Sequence, residues 1–166
     1  LGTPVLEATS FTENGMRFPC DSAVKIDNPE GPVTLKQLTV VNNLCTGVEV
    51  SGGADATITD CTFRDNGGTG LSCFSSDCTV VRSQFVGNAY RGVSSNELVW
   101  VIDSLFLRNL DNGLYTYGGA IVINSVFAGN TGWYGAALDS SSAYVLNSVF
   151  FGNHADSSVA GKVVGS

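Results

Sequence analysis

The sequence predicts an all-β fold, a right-handed parallel β-helix in which a single chain winds as a solenoid. The motif F-x-x-N occurs six times in 166 residues, and a related Val-Val-Asn-Asn occupies the second repeat. The Asn residues of this column recur at intervals of 21–29 residues, and each interval contains three short segments rich in β-branched residues. Such segments are strands rather than helices, so each interval is one turn of the solenoid, called a rung below. We expect about seven rungs in one domain over residues 1–166, with an Asn column of Asn14, Asn43, Asn66, Asn88, Asn109, Asn130 and Asn153.

Three apolar columns are expected to point inward, one from each strand of the rung. The Asn that follows the second strand is expected to adopt the left-handed backbone conformation at a corner and to form an amide ladder. A Gly column is expected to open the third strand, where a sharp turn leaves no room for Cβ. The first-strand column is Ile58, Val80, Val101, Val122 and Val145; the second is Phe11, Val40, Phe63, Phe85, Phe106, Phe127 and Phe150; the third is Val48, Leu71, Val93 and Leu114; the glycines are Gly47, Gly70, Gly92, Gly113 and Gly135.

The inward columns fix which residues of the first two strands point outward. In rungs one to three most of these are polar or charged, whereas in rungs five to seven all are apolar or aromatic. With strands about 4.8 Å apart and about 6.6 Å per outward residue, the apolar positions cover roughly 400 Å². A parallel strand with two apolar faces is normally buried on both, so we expect a partner protein or further copies of this chain to pack here, in a filament or surface assembly. This apolar outer face consists of Trp100, Ile102, Leu105, Leu107, Ile121, Ile123, Val126, Ala128, Tyr144, Leu146, Val149 and Phe151.

Charge and composition narrow the kinds of partner. Charged residues make up 14% of the chain and the net charge is −7, which argues against nucleic acid and anionic membrane surfaces. No apolar run is long enough for a transmembrane helix. The chain begins at Leu1 without a signal-peptide pattern, and neither end resembles a solenoid cap, so we expect a fragment or processed part of a longer chain.

Five cysteines in a Gly-rich chain favour an oxidising, extracellular or cell-surface location. Cys20 and Cys45 fall at nearly equivalent corners of rungs one and two, so stacking would bring them within reach of a disulfide. Cys73 and Cys78 flank one corner and form a second candidate pair. Cys61 takes an inward position that is Ser in later rungs, so we expect a buried free thiol.

Residues for catalysis or metal binding are sparse. His154 is the only histidine, and no metal-binding or nucleophile motif occurs, so we predict no catalytic residue, metal or cofactor. Asp60, Arg82 and Asp103 share one column, which resembles the acidic groups and arginine of β-helix polysaccharide lyases. We favour a surface charge ladder, because no Lys or second Arg occupies the neighbouring columns.

Aromatic side chains near the third strands indicate another kind of surface. Tyr115 and Tyr117 are expected to point outward, with Trp133 and Tyr134 in a nearby turn. Aromatics in this arrangement can stack on sugar rings, although ordinary surface packing would explain them equally well. An outward Thr column is too short for the flat arrays of ice-binding solenoids; it contains Thr34, Thr57 and Thr79.

The F-x-x-N repeats, with Gly118-Gly119-Ala120-Ile121 and the partial Gly52-Gly53-Ala54, resemble the F-x-x-N and G-G-A-[ILV] repeats of polymorphic outer-membrane proteins (Pmp-type). The resemblance spans nearly the whole chain. It implies a surface-exposed β-helix used in adhesion or assembly, and it implies no catalytic residues.

From the sequence we therefore predict a non-enzymatic extracellular structural or adhesive module, which joins a larger assembly through the apolar outer face. The alternative is a carbohydrate-active β-helix, either lyase-like or sugar-binding. Enzymatic activity thus stays open, with the non-enzymatic interpretation favoured.

Overall fold

The computed structural model describes residues 4–14, 21–74, 77–133 and 135–156, and these form 22 short strands. Every strand pairing is parallel. None of the described segments is a helix able to cross a membrane. Rungs one to three are β1 (Val5–Glu7), β2 (Ser10–Thr12), β3 (Ser22–Asp27), β4 (Val33–Lys36), β5 (Thr39–Val41), β6 (Thr46–Ser51), β7 (Ala56–Thr59), β8 (Thr62–Arg64) and β9 (Leu71–Phe74).

Four further rungs continue the same winding. They are β10 (Cys78–Val81), β11 (Gln84–Val86), β12 (Val93–Ser95), β13 (Leu98–Ile102), β14 (Leu105–Leu107), β15 (Leu114–Thr116), β16 (Gly119–Ile123), β17 (Val126–Ala128), β18 (Thr131–Gly132), β19 (Leu138–Ser140), β20 (Ala143–Leu146), β21 (Val149–Phe151) and β22 (His154–Ala155). The first strands of the rungs form sheet A and the second strands form sheet B, with seven strands each; the third strands form the six-stranded sheet C. Two further short strands, β18 and β22, pair with each other. The described residues therefore make six full turns and the first part of a seventh, which confirms the predicted parallel β-helix.

The core is made of the inward columns that the sequence predicts. Phe63, Phe85, Phe106 and Phe127 are fully buried. Successive rings in this column stack nearly parallel, with centroids 4.4–5.0 Å apart. This spacing matches the separation of neighbouring strands, about 4.8 Å, because the register pairs each Phe with the next. The third-strand column continues beyond Leu114 to Leu138, which is its register partner.

The predicted asparagine ladder is present, but one reason given for it is wrong. The Asn88 Oδ1 accepts hydrogen bonds from the backbone N–H and Nδ2 of Asn66, at 3.3 and 2.9 Å. Asn88 Nδ2 donates to Asn109 Oδ1 and to the carbonyl of Phe63, at 2.9 and 3.2 Å. The left-handed conformation falls on the residue before each Asn, not on the Asn itself; these residues are Glu13, Asn42, Asp65, Gly87, Arg108, Gly129 and Gly152. Asn is thus needed for its amide, which supplies both donor and acceptor to the column.

The glycine column is correct in rungs two to five and wrong in rung six. A Cβ on Gly92 would lie 2.5 Å from the carbonyl oxygen of Gly113, so this corner excludes larger residues. In the next rung the equivalent position is Ala137, whose carbonyl lies 2.7 Å from a Cβ built on Gly113. Gly135 instead belongs to an insertion, because Asn130 and Leu138 are eight positions apart whereas Asn109 and Leu114 are five apart.

Candidate functional site

An open cleft of about 400 Å³ lies where the chain turns from sheet B into sheet C, over rungs four to six. The insertion of rung six forms one side of it. Asn112, which is buried, donates a hydrogen bond of 2.9 Å from Nδ2 to the carbonyl of Gly135 and so fixes the insertion. The cleft is lined by Tyr90, Arg91, Asp111, Asn112, Tyr115, Trp133 and Asp139.

Arg91 is at the centre of the cleft and contacts side chains from two rungs. Its Nε lies 3.1 Å from Oδ2 of Asp111, and both side chains are more than four-fifths buried. Its Nη1 donates to Ser94 Oγ at 3.3 Å. The guanidinium lies over the Tyr115 ring, with Cζ 3.7 Å from the ring centroid, and 4.6 Å from the centroid of Tyr90. A planar guanidinium suits this combination of ion pair and ring stacking better than an ammonium does.

Two ionisable groups on the outer face of sheet C, Tyr115 and Asp139, have pKa values that are shifted by their surroundings in the cleft. Tyr115 and Asp139 are register partners on neighbouring strands. Burial, with a hydrogen bond and charge from Tyr117, raises the pKa of Tyr115 to about 12. Burial also raises the pKa of Asp139; Arg91 opposes this rise, and Asp111 adds to it. Both groups therefore hold their protons more tightly than they would in water.

The structure brings together three of the four residues predicted to contact sugar. Trp133 is 62% exposed at the cleft, and Tyr117 is 71% exposed beside it. The Tyr117 ring meets Tyr115 edge to face, with centroids 5.1 Å apart. Tyr134 lies outside the described residues. Sequence reasoning missed Tyr90, Arg91, Asp111 and Asp139. The first three follow the Asn column by two or three positions, which places them near one corner, whereas Asp139 lies on β19 beyond the insertion.

The residues of the apolar outer face alternate with inward-pointing residues along their strands, as expected for β-strands. Its twelve residues lie on β13, β14, β16, β17, β20 and β21, between the inward columns. Six of the twelve residues are exposed, from 37% at Val126 to 75% at Phe151, and the other six are half-buried. No described contact covers this surface in the single chain, so its role as a partner interface remains a prediction.

Other predicted groups form no site. Arg82 donates to both carboxylate oxygens of Asp60, at 2.7 and 2.9 Å, on an exposed corner. This bidentate contact lowers the pKa of Asp60. Asp103 acts on Arg82 only through its charge. His154 is exposed, with Nε2 3.5 Å from Asp156. The described part of the chain holds no group of three or more potential metal ligands.

The cysteines fall into three environments. Cys45 is disulfide-bonded, and its predicted partner Cys20 lies outside the described residues. Cys73 and Cys78 are buried free thiols with sulfurs 2.7 Å apart, so a bridge between them remains a prediction. Cys61 is a buried free thiol, as predicted, and burial raises its pKa.

Comparison with known proteins defines the class. Residues 22–166 match the family described as "Right handed beta helix region", and the chain belongs to that family. No curated protein sequence matches the chain significantly.

Two solved structures share the fold. One is described as the periplasmic alginate epimerase AlgG, with a TM-score of 0.75 and 11% identity over 88% of this chain and 39% of that chain. A point mutant of AlgG gives a TM-score of 0.64 and 10% identity over 92% and 39%. The chain therefore spans about two fifths of the length of these proteins, and at such identities the likeness shows the fold alone.

Proposed function

We propose that this β-helix is a non-enzymatic glycan-binding module that acts outside the cytoplasm, with its binding site in the cleft of rungs four to six. The observation that carries the proposal is the placement of exposed aromatic rings around a fixed polar centre. Trp133 and Tyr90 offer flat apolar surface for the C–H face of a sugar ring. Arg91 and Asp111, held by each other, offer a donor and an acceptor for hydroxyl groups.

Binding is favoured over catalysis by the chemistry of the lining. Abstraction of a proton from a sugar needs a base that is free near neutral pH. The described lining residues include no His or Lys, and Tyr115, with its pKa raised to about 12, stays protonated there. The Arg91 guanidinium already has a carboxylate partner at 3.1 Å. We therefore favour glycan binding over catalysis, and Asp139, a lining carboxylate whose pKa is raised by burial, is the group on which any catalysis would depend.

The wider context supports the same proposal. AlgG is described as an alginate epimerase, so a β-helix of this shape accommodates a polysaccharide. The resemblance to Pmp-type repeats supports an adhesive role at a cell surface. The disulfide bond of Cys45 and the periplasmic relative support an extracellular or periplasmic location.

A glycan array tests the proposal directly. The wild-type chain should bind a subset of immobilised glycans, and Trp133→Ala should weaken that binding about tenfold or more. Tyr144→Ala removes an exposed aromatic from the other side of the solenoid and should leave binding unchanged. Equal loss in both variants, or no binding by the wild type, would contradict the proposal. Release of unsaturated uronate products from alginate would contradict its non-enzymatic part.

The apolar outer face supports a second function, weak self-association of this chain. The face carries no charged residue, so it offers no charge pattern that would select a different partner, and a second copy matches its chemistry. Its area, roughly 400 Å² by strand geometry, is about half of what each partner buries in a stable complex. Association through this face alone should therefore be weak.

Sedimentation velocity over a concentration series tests this second function. Wild-type chains should associate as concentration rises, and Ile123→Lys should abolish the effect without unfolding the chain. Thr57→Lys introduces the same charge on an exposed, polar part of sheet A and serves as the control. Equal association in wild type and Ile123→Lys would exclude the face as the interface.

A further inference from the structure

We infer that the cleft selects uncharged glycans and rejects polyuronates, an inference that rests on the proposed glycan-binding function. The other candidate features of the chain are the Cys73–Cys78 pair, the exposed Arg82 corner and the apolar outer face. Only the cleft combines exposed rings, a partly buried ion pair and a second carboxylate, so only there does the arrangement specify the chemistry of a ligand.

The first argument is the charge of the described lining residues. Arg91 is the one cation among them, and Asp111 and Asp139 are the two carboxylates. When both carboxylates are ionised, the lining carries a net negative charge. A uronate brought into this cleft would be repelled, and the net charge of −7 on the chain adds to the repulsion.

The second argument is that Arg91 is already engaged. A guanidinium recognises a carboxylate best through two parallel hydrogen bonds. Here Nε faces Asp111 at 3.1 Å and Nη1 faces Ser94 at 3.3 Å, while the plane of the group stacks on Tyr115. A uronate that bound the Nε edge would have to displace Asp111 and leave that partly buried carboxylate without its cation, and one that bound the Nη1 edge would have to displace Ser94, so either approach opposes binding.

An uncharged sugar avoids both costs. Its hydroxyl groups can donate to Asp111 and Asp139, which only accept when ionised. Its C–H face can pack against Trp133 and Tyr90, which are 62% and 47% exposed. The inferred preference for uncharged glycans differs from the substrate named in the description of AlgG, because alginate is a polyuronate.

Affinity electrophoresis tests the inference with defined polysaccharides. Native gels contain a neutral polymer (galactomannan, mixed-linkage β-glucan or dextran) or a polyuronate (alginate or polygalacturonate), at low ionic strength. We expect retardation in at least one neutral gel, lost in Trp133→Ala, and none in the polyuronate gels. Retardation in a polyuronate gel that Trp133→Ala abolishes would overturn the charge inference while leaving the glycan site in place. Retardation in none of the gels would contradict the glycan site itself.

A charge-swapped variant tests the mechanism independently. The double variant Asp111→Asn with Asp139→Asn releases Arg91 and makes the lining positive, so it should gain retardation in alginate. The matched control is Asp55→Asn with Asp103→Asn, which changes the net charge equally at exposed positions away from the cleft. Equal mobility of the two double variants in alginate, relative to gels without polymer, would overturn the inference.

Discussion

Cζ of Arg91 lies 3.7 Å from the centroid of the Tyr115 ring, so a residue of the fourth rung covers an aromatic ring of the fifth. The same guanidinium pairs with Asp111, also in the fifth rung. In a solenoid each rung contacts only its neighbours. Arg91 therefore serves two purposes, because it fixes the polar centre of the cleft and joins two rungs outside the backbone ladder.

Removal of Arg91 should destabilise the chain more than removal of an exposed arginine. Arg91→Ala should lower the free energy of unfolding by about 1–2 kcal/mol, since it deletes a ring stack and leaves Asp111 unpaired. Arg91→Lys should recover only part of the loss, because an ammonium keeps the charge but not the planar stack. Guanidinium denaturation measures the change, with Arg82→Ala as the exposed control. A larger loss in Arg82→Ala than in Arg91→Ala would contradict this account.

The alkaline stability of the chain should depend on Tyr115. Burial and Tyr117 raise the pKa of Tyr115 to about 12, whereas an unfolded tyrosine ionises near pH ~10. The folded state thus holds this proton more tightly. The protonated Tyr115 side chain therefore contributes its full stabilisation of the folded state below about pH 10, and this contribution is lost as the pH rises towards about 12.

Tyr115→Phe should therefore flatten the loss of stability above about pH 10. Tyr144→Phe, at an exposed position on sheet A, should keep the wild-type slope. Urea unfolding at several alkaline pH values compares the three proteins. Parallel slopes for wild type and Tyr115→Phe would show that Tyr115 does not carry the effect.

The asparagine ladder predicts a large cost for a small substitution. Asn88→Ala removes two donors and an acceptor at a fully buried position, and it leaves the Phe63 carbonyl and the Asn66 amide unsatisfied. We expect a loss of about 2–4 kcal/mol in thermal or chemical unfolding. Asn14→Ala, at the exposed end of the ladder, should cost clearly less. Similar costs at both positions would argue against cooperative stabilisation by the buried column.

The cysteines predict a thiol count. The sulfurs of Cys73 and Cys78 lie 2.7 Å apart, and their mutual hydrogen bond and burial raise the pKa of Cys78. Because a buried, protonated thiol reacts slowly, the bridge should form during folding, with a disulfide such as oxidised glutathione as the oxidant. Protein folded this way and then denatured without reductant should show one thiol, that of Cys61. Three reactive thiols, from Cys61, Cys73 and Cys78, would show that the bridge does not form.

The solenoid could be predicted from the sequence because its determinants repeat. The residue types of Phe85 and Asn88 recur at the same spacing in other rungs. Equivalent positions in successive rungs have the same surroundings, so they hold the same kind of residue, and this regularity is visible in the sequence. The errors arose where that logic was incomplete. Asn66 was assigned the left-handed conformation that belongs to Asp65, because the two neighbours cannot be separated by spacing alone.

The cleft was predicted only in part, because it depends on a departure from the repeat. Tyr115, Tyr117 and Trp133 were identified as aromatics near one another. The insertion before Leu138 could not be recognised from the sequence, because Gly135 lies close to the spacing expected for the glycine column although Ala137 is the equivalent residue. Arg91 and Asp111 occur once each at their corner, so no repeat marks them, and their pairing is seen only in the folded chain.

The most direct test of the account uses the two tryptophans of the chain as opposing probes in one NMR experiment. Trp133 lies at the cleft and Trp100 on the apolar outer face. On titration with a mixture of neutral gluco-, manno- and galacto-oligosaccharides, the indole N–H resonance of Trp133 should shift and saturate, while that of Trp100 stays in place. A stationary Trp133 resonance, or a shift confined to Trp100, would contradict a glycan site in the cleft.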